Sequence, residues 1–156
     1  MQAEDCLLIW EWANDPDTRR VSFSLDPIPW ETHVSWFNPR SSDHMTRFYI
    51  AMDDEATPVG QIRFKIRGCE CVVSVSVARE RRGRGYGSRI IRLGTQRVFH
   101  EIGIRTIHAY TKLDNTTFAH AFMAAGFSEC GMTKLGGHIA LHCVLQKDEP
   151  EDEAVD

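Results

Sequence analysis

Apolar residues recur at helical spacing over 3–13, at Ala3, Cys6, Leu7 and Trp10, and Asn14, Asp15 and Pro16 punctuate that run. The pattern predicts a first helix. After Arg19, Arg20 and a short extended piece, 29–37 reads as a second short helix, with His33 and Phe37 on one side and Asn38 and Pro39 as its stop. Stretches 47–52, 59–66 and 70–77 are strand-like, joined by 53–58 and by Arg67 and Gly68, links that suit an antiparallel meander. From 87 to 101, Ile90, Ile91, Leu93, Val98 and Phe99 trace an amphipathic helix with Gly103 just beyond. A strand over 106–111 follows. Asp114 or Asn115 caps another helix carrying Phe118, Ala121, Phe122 and Ala125, closed by Gly126. Two last strands, 127–133 and 138–145, flank Leu135, Gly136 and Gly137. The order predicts a mixed α+β sheet protein without internal repeats.

With 156 residues there is room for one domain, taken as 3–147, and 148–156 reads as a disordered acidic tail holding six acids and no base. Hydrophobic residues at 42% and charged residues at 26% fit a globular chain, and no apolar run approaches the roughly 20 residues of a membrane span. Glu4, Asp5 and Glu11 stand where a secretory signal would be basic and then apolar, so none is expected. The net charge of -4 misleads, because without its tail the chain carries 18 bases against 16 acids. Arg79, Arg81, Arg82, Arg84, Arg89, Arg92 and Arg97 instead crowd into one stretch, a local positive potential suited to a small phosphorylated molecule. A nucleic-acid partner would want a domain-wide basic face with interleaved aromatics, which is absent.

Five cysteines, Cys6, Cys69, Cys71, Cys130 and Cys143, without a Cys-x-x-Cys pair argue against a disulfide framework or thiolate zinc, and for a reducing, cytoplasmic setting. Cys69 and Cys71 are read as strand residues pointing one way, as small buried hydrophobes. His138 and His142 are the two histidines with a claim to be neighbours, and without a third ligand no metal site is expected.

The segment 72–91, VVSVSVARERRGRGYGSRII, is a strand, a loop of glycine and arginine, and a helix start. Main-chain N–H groups of a helix's first turn lack internal partners, so a glycine loop that lets backbone approach closely cradles phosphate there. Arg82 and Arg84 would add charge-assisted hydrogen bonds. A P-loop would end in Gly-Lys-Ser/Thr, and a dinucleotide-binding loop would space its glycines as G-x-G-x-x-G; Gly83, Gly85 and Gly87 do neither. A flexible basic turn stays open as the bland alternative.

Arg82, Gly83, Arg84, Gly85, Tyr86 and Gly87 match the R/Q-x-x-G-x-G/A signature, with Val77 five residues earlier, Asn115 after the next strand and Gly126-Phe127 closing the following helix. On these residues the chain, from about Glu4 to Leu145, resembles the GNAT superfamily of acyl-CoA N-acyltransferases. Trp12-Ala13-Asn14-Asp15-Pro16, Arg20, Ser22, Ile28, His33 and Trp36-Phe37 look like acetyltransferases of nucleotide-linked amino sugars, such as those of pseudaminic acid biosynthesis. The ribosomal-protein N-terminal acetyltransferases are partly similar there. The resemblance implies a central twisted, mostly antiparallel sheet with a splayed parallel strand pair, flanked by helices. It implies acetyl-CoA as cosubstrate, its pantetheine between the 70–77 and 106–111 strands and its pyrophosphate on the amides from Gly83 to Ser88. It implies further that Val75 and Val77 line the arm, that the Val77 N–H polarises the thioester carbonyl, and that Asn115 and Phe122 border the cofactor. Asn115 is equally well a plain helix cap.

Two departures stand out. Phe122 occupies the place where the family often has a tyrosine that protonates the departing thiolate, leaving His120, Tyr110 or water as substitutes. The chain also starts almost in its first helix where the family starts with a strand, so it is expected to be a trimmed form or a domain of a larger enzyme. A homodimer is the other assembly considered. The acceptor is a small-molecule amine, which must be neutral to attack; His33 has a suitable intrinsic pKa to act as base. Arg20 pairs with an acceptor phosphate or is a solvated charge, and Trp30, Trp36 and Phe37 wall a sugar pocket or form core. Glu70 opens the splayed strand on the parity opposite Cys71, Val75 and Val77. The expected reaction is direct acetyl transfer in a ternary complex to a nucleotide-linked amino sugar. The alternatives are a protein N-terminus as acceptor and a non-catalytic CoA-binding module.

Overall fold

The computed structural model describes residues 3–40 and 43–148. Three helices lead: α1 Asp5–Asn14, α2 Pro16–Val21 and α3 Trp30–Arg40. The strands β1 Thr46–Met52, β2 Pro58–Arg67 and β3 Glu70–Val77 follow, then a 3-10 turn at Arg79–Arg81 and the long helix α4 Tyr86–Glu101. β4 Thr106–Lys112, α5 Thr116–Ala124, β5 Ser128–Leu135 and β6 His138–Gln146 complete the chain. The sequence pattern misses α2, whose residues it assigns to no element, and ends α3 too early. Asp15 accepts a hydrogen bond from the Thr18 N–H as N-cap, and Pro16 sits in the first turn, where its missing N–H costs nothing. Near the C-terminal end of α3 a proline at position 39 removes one backbone hydrogen bond without ending the helix.

One six-stranded sheet has the order β1-β2-β3-β4-β6-β5, antiparallel everywhere except between β3 and β4. α4 and α5 cover one face over a core that includes Val59, Ile62, Phe64, Ile91, Val98 and Ile107. On the other face a smaller cluster of Ile9, Phe37 and Phe48 seats α1 and α3. Gly94 brings α4 down on the sheet: a Cβ there would stand 2.7 Å from Ile62 Cδ1. Among the described residues no strand precedes α1, and no helix is long and apolar enough to cross a membrane. Residues 149–156, the bulk of the expected acidic tail, lie outside the described residues.

Candidate active site

β3 and β4 pair only from Glu70↔Thr106 to Val73↔Ala109, after which both strands run on unpaired with each other. Ala78 donates its N–H to Val59 on β2, whereas the Val77 carbonyl turns the other way and accepts from Arg82 Nε at 3.1 Å. Strand alternation then points the N–H groups of Val75 and Val77 into the gap, as an open edge. On the far side β4 gives its buried edge to β6 through the whole register, which turns the Tyr110 main chain toward the same gap.

A cleft of about 530 Å³ occupies this wedge. Val73 to Val77, Tyr110, Thr111, Asn115, Phe118 and Phe122 line it, and Arg20 and Arg82 reach it from its N-terminal rim. A second cavity of about 400 Å³ lies on the α1/α3 side of β3, bordered by Arg19, Ile28, His33, Trp36, Arg63 and others. Thr18, Arg63 and Ser74 to Ser76 belong to both, so the two spaces meet at the splayed strand.

The glycine turn follows directly. Gly83 and Gly85 hold φ of 72° and 78°, the left-handed region that favours glycine, and open space surrounds each. Gly85 is the N-cap of α4 and makes no side-chain cap, so the first-turn N–H groups of Tyr86, Gly87 and Ser88 have no capping side chain. No acid stands in that turn. Gly87 packs closely: a Cβ there would meet Ala121, Phe118 and Val77 side chains at 3.7 to 3.9 Å. Arg84 is exposed beside the turn.

Arg82 departs from expectation. Its guanidinium faces inward: Nη2 donates to Asp15 Oδ2 at 2.9 Å and to Thr18 Oγ1 at 3.1 Å, and Nη1 lies 3.5 Å from Asp17 Oδ2. Three carboxylate or hydroxyl groups of the α2 turn hold it there, so its charge is matched within the rim itself. Asn115 is a helix cap, its Oδ1 accepting from the Phe118 N–H at 3.4 Å, and it borders the cleft as well. Phe122 is 3% exposed and packs edge-on to Phe127, its ring forming the cleft floor without a hydroxyl. His120 is exposed on α5, whereas Tyr110 lines the wedge.

His33 is 3% exposed, flanked by Trp30, Trp36 and Phe37. Its Nε2 stands 2.8 Å from the Cys6 carbonyl; a carbonyl only accepts, so Nε2 carries the proton and neutral His33 keeps its lone pair on Nδ1. Burial pushes its pKa below 6.5, against the opposing pull of the Cys6 carbonyl. Of the three neighbouring aromatics, Phe37 is core, Trp36 walls the second cavity beneath the Arg63 guanidinium, and Trp30 is 39% exposed against Trp10.

Asn14 shapes this cavity from behind, its amide bonding both the N–H and the carbonyl of Ile28. Arg19 donates to the carbonyls of Ala13, Ser24 and Asp26 and to Ser22 Oγ, all neutral oxygens. Sequence reasoning passed over Arg19, Arg63, Ser74 and Ser76. The alternation of serine and valine through β3 was the available signal, since it sets a polar row facing away from the core.

Two cysteine and histidine expectations are corrected. Cys69 lies in the turn before β3 and is exposed, while Cys71 is buried, its thiol pushed up to about 12 by burial. His142 pairs with His108 and not with His138, because register sets it diagonal to His108 across β4 and β6 while His138 turns to Phe23. His108 Nε2 stands 3.1 Å from Glu70 Oε2 and Nδ1 2.9 Å from His142 Nε2, and the His142 ring stacks on Tyr110 at 4.7 Å. Among the described residues no group of three or more such side chains is arranged to hold a metal ion.

An open strand edge, a helix mouth without acid and a cleft between them fit a thioester-bearing nucleotide with a long amide arm, which makes this the architecture of an acyl-CoA-dependent acyltransferase. The family model for the acetyltransferase (GNAT) domain matches residues 1–128, and the chain belongs to that family. Spermidine N-acetyltransferase from Vibrio cholerae, solved with CoA and spermine, superposes with a TM-score of 0.84 at 16% identity, covering 94% of this chain and 92% of that one. The aminoglycoside acetyltransferase AAC(6')-Ib, solved with coenzyme A and kanamycin, gives 0.81 at 15% identity, covering 94% and 92%. At such identities the likeness is one of fold. Comparison with curated proteins finds no match.

Proposed function

We propose that this acetyltransferase moves acetyl from acetyl-CoA to the primary amine of a nucleotide-linked amino sugar by direct attack in a ternary complex. The meeting of the two cavities at Ser74 to Ser76 carries the reading, because it gives donor and acceptor separate entrances to one strand edge. The amides from Gly83 to Ser88 would hold the pyrophosphate, with Arg84 adding charge from the side. The arm would then run between Val77 and Tyr110 toward the last strand pair. Its thioester end would reach the depth of Val75, one alternation beyond Val77, making the Val75 N–H the first donor to the developing oxyanion, with the Val77 N–H, which the family resemblance implies for that role, supporting it. Loss of one such donor costs about 3 kcal/mol of transition-state stabilisation.

His33 would take the proton of the attacking amine on Nδ1, and its lowered pKa keeps it neutral and ready near pH 7. Tyr110 or water would meet the departing thiolate in place of the hydroxyl missing at Phe122; a thiol of pKa near 8.5 leaves readily.

The acceptor class rests on charge. The second cavity has the cations Arg19 and Arg63 beside neutral His33 in its lining and no carboxylate among the described residues. A polycation such as spermine or kanamycin, the ligands of the two structural neighbours, would find no counter-ion there. A phosphorylated acceptor would, with Arg20 at the adjoining rim, where Asp17 is drawn to Arg82. Thiol release measured side by side with a UDP-linked amino sugar, spermidine and an N-terminal peptide tests this. Turnover of the sugar nucleotide alone is expected; preference for the peptide would install the protein N-terminus as acceptor. Tight acetyl-CoA binding with no release from any amine would mark a non-catalytic module.

A further inference from the structure

Two buried hydroxyl oxygens of the described residues have no hydrogen-bond partner, Thr111 Oγ1 and Ser76 Oγ, and both line the wedge cleft. Thr111 is 5% exposed. It shares the helix-covered side of β4 with Ile107 and Ala109, both fully apolar and buried, so it is the one polar residue in that row. Valine has the same shape and would satisfy the packing without stranding a donor. A buried, unmet hydroxyl weakens a fold, and on a residue that lines a cleft it can rotate to meet a polar group of a guest.

Ser76 belongs to the opposite row. On β3 the buried residues facing α4 include Cys71, Val73 and Val77, and Ser76 lies on the α1/α3 side, where it also borders the second cavity. The two hydroxyls thus address different faces of the splay.

We propose that the Thr111 hydroxyl binds the amide-bearing arm of acetyl-CoA, and that Ser76 serves the acceptor side and does not touch the arm. This rests on the acetyltransferase reading given above. Pantetheine offers two amides, each with a donor and an acceptor, and a rotatable hydroxyl can meet either.

Calorimetric titration with acetyl-CoA, and separately with adenosine 3′-phosphate 5′-diphosphate, its nucleotide end without the arm, tests the assignment on wild type, Thr111→Val and Ser76→Ala. Thr111→Val is expected to weaken acetyl-CoA about five- to tenfold and leave the armless nucleotide unchanged, the loss of one hydrogen bond. The melting temperature of the free variant should be no lower than that of wild type, since an unmet polar atom has gone. A packing defect would instead lower stability and both affinities together. Ser76→Ala should keep acetyl-CoA affinity within twofold. Equal acetyl-CoA affinity in Thr111→Val and wild type, or an equal loss in Ser76→Ala, overturns the assignment. Failure of wild type to bind acetyl-CoA overturns the acetyltransferase reading itself and is seen before any variant is compared.

Discussion

Arg82 Nη2 donates to Asp15 Oδ2 at 2.9 Å, joining residues 67 positions apart. The same guanidinium holds the Val77 carbonyl, so one side chain fastens the N-terminal helices to the end of the splayed strand. Asp15 is also the N-cap of α2, and Trp12-Ala13-Asn14-Asp15-Pro16 thereby gains a physical meaning: Asn14 clamps Ile28, Asp15 anchors the arginine, and Pro16 starts the helix. Burial acts to raise the Asp15 pKa, but the hydrogen bonds from Arg82 and the Thr18 N–H together hold it below its ordinary 3.8.

Asp15→Asn keeps a competent cap and removes the charge, so it isolates the ion pair. A loss of about 1.5–3 kcal/mol is expected in urea unfolding at neutral pH. Because the folded pKa is depressed, the wild-type advantage stands above the unfolded value of 3.8 and disappears as pH falls through the folded one. The two proteins should therefore converge in strong acid.

Two histidines impose a second pH dependence. His33 and His142 are each held below the ordinary 6.5 by burial, and His108 adds repulsion at His142. Above 6.5 both are neutral folded and unfolded, and stability is intact. As pH falls below it, the unfolded chain takes up protons that the folded one refuses, so stability declines until the folded values are passed. The melting temperature should drop between pH 7.5 and 5.5, less steeply in His33→Gln. An equal drop in that variant would remove His33 from the account.

Gly60 and Gly85 separate packing from backbone freedom. A Cβ at Gly60 would stand 2.5 Å from the Ser76 carbonyl oxygen and 2.8 Å from Ile90 Cδ1, so Gly60→Ala should cost about 1–3 kcal/mol and displace β3. Gly85 has open space and only its φ of 78° to lose, so Gly85→Ala should cost about 1–2 kcal/mol. Acetyl-CoA affinity should suffer more in Gly85→Ala, measured by calorimetry, because the strain falls at the proposed pyrophosphate turn.

Phe122→Tyr returns a hydroxyl to the cleft floor between Phe118 and Phe127. Where thiolate departure limits turnover, kcat for the amino-sugar nucleotide should rise up to tenfold, with the KM for acetyl-CoA little changed. An unchanged kcat would place the slow step elsewhere.

The strands and the two long-range helices were legible because each has a clean period: alternation in β2 and β3, and the apolar stripe with its terminating glycine in α4. The mixed α+β class and the β3-turn-α4 unit follow from residues close together in the chain, whereas the parallel pair joins Glu70 to Thr106 and was implied by the family resemblance alone. α2 was lost because six residues are too short to show a period, and its evidence was the Asp15-Pro16 cap alone. The inward turn of Arg82 and the His108–His142 pair depend on partners 67 and 34 residues away, which spacing does not encode.

Strand pairing across the middle of the sheet ends at Val73↔Ala109. The molecule is thus two leaves, β1-β2-β3 and β4-β6-β5, stitched along a short spine and free of each other beyond it. A guest whose amides bridge that slit would act as a surrogate seventh strand, so cosubstrate loading would complete the sheet where the chain's own pairing stops.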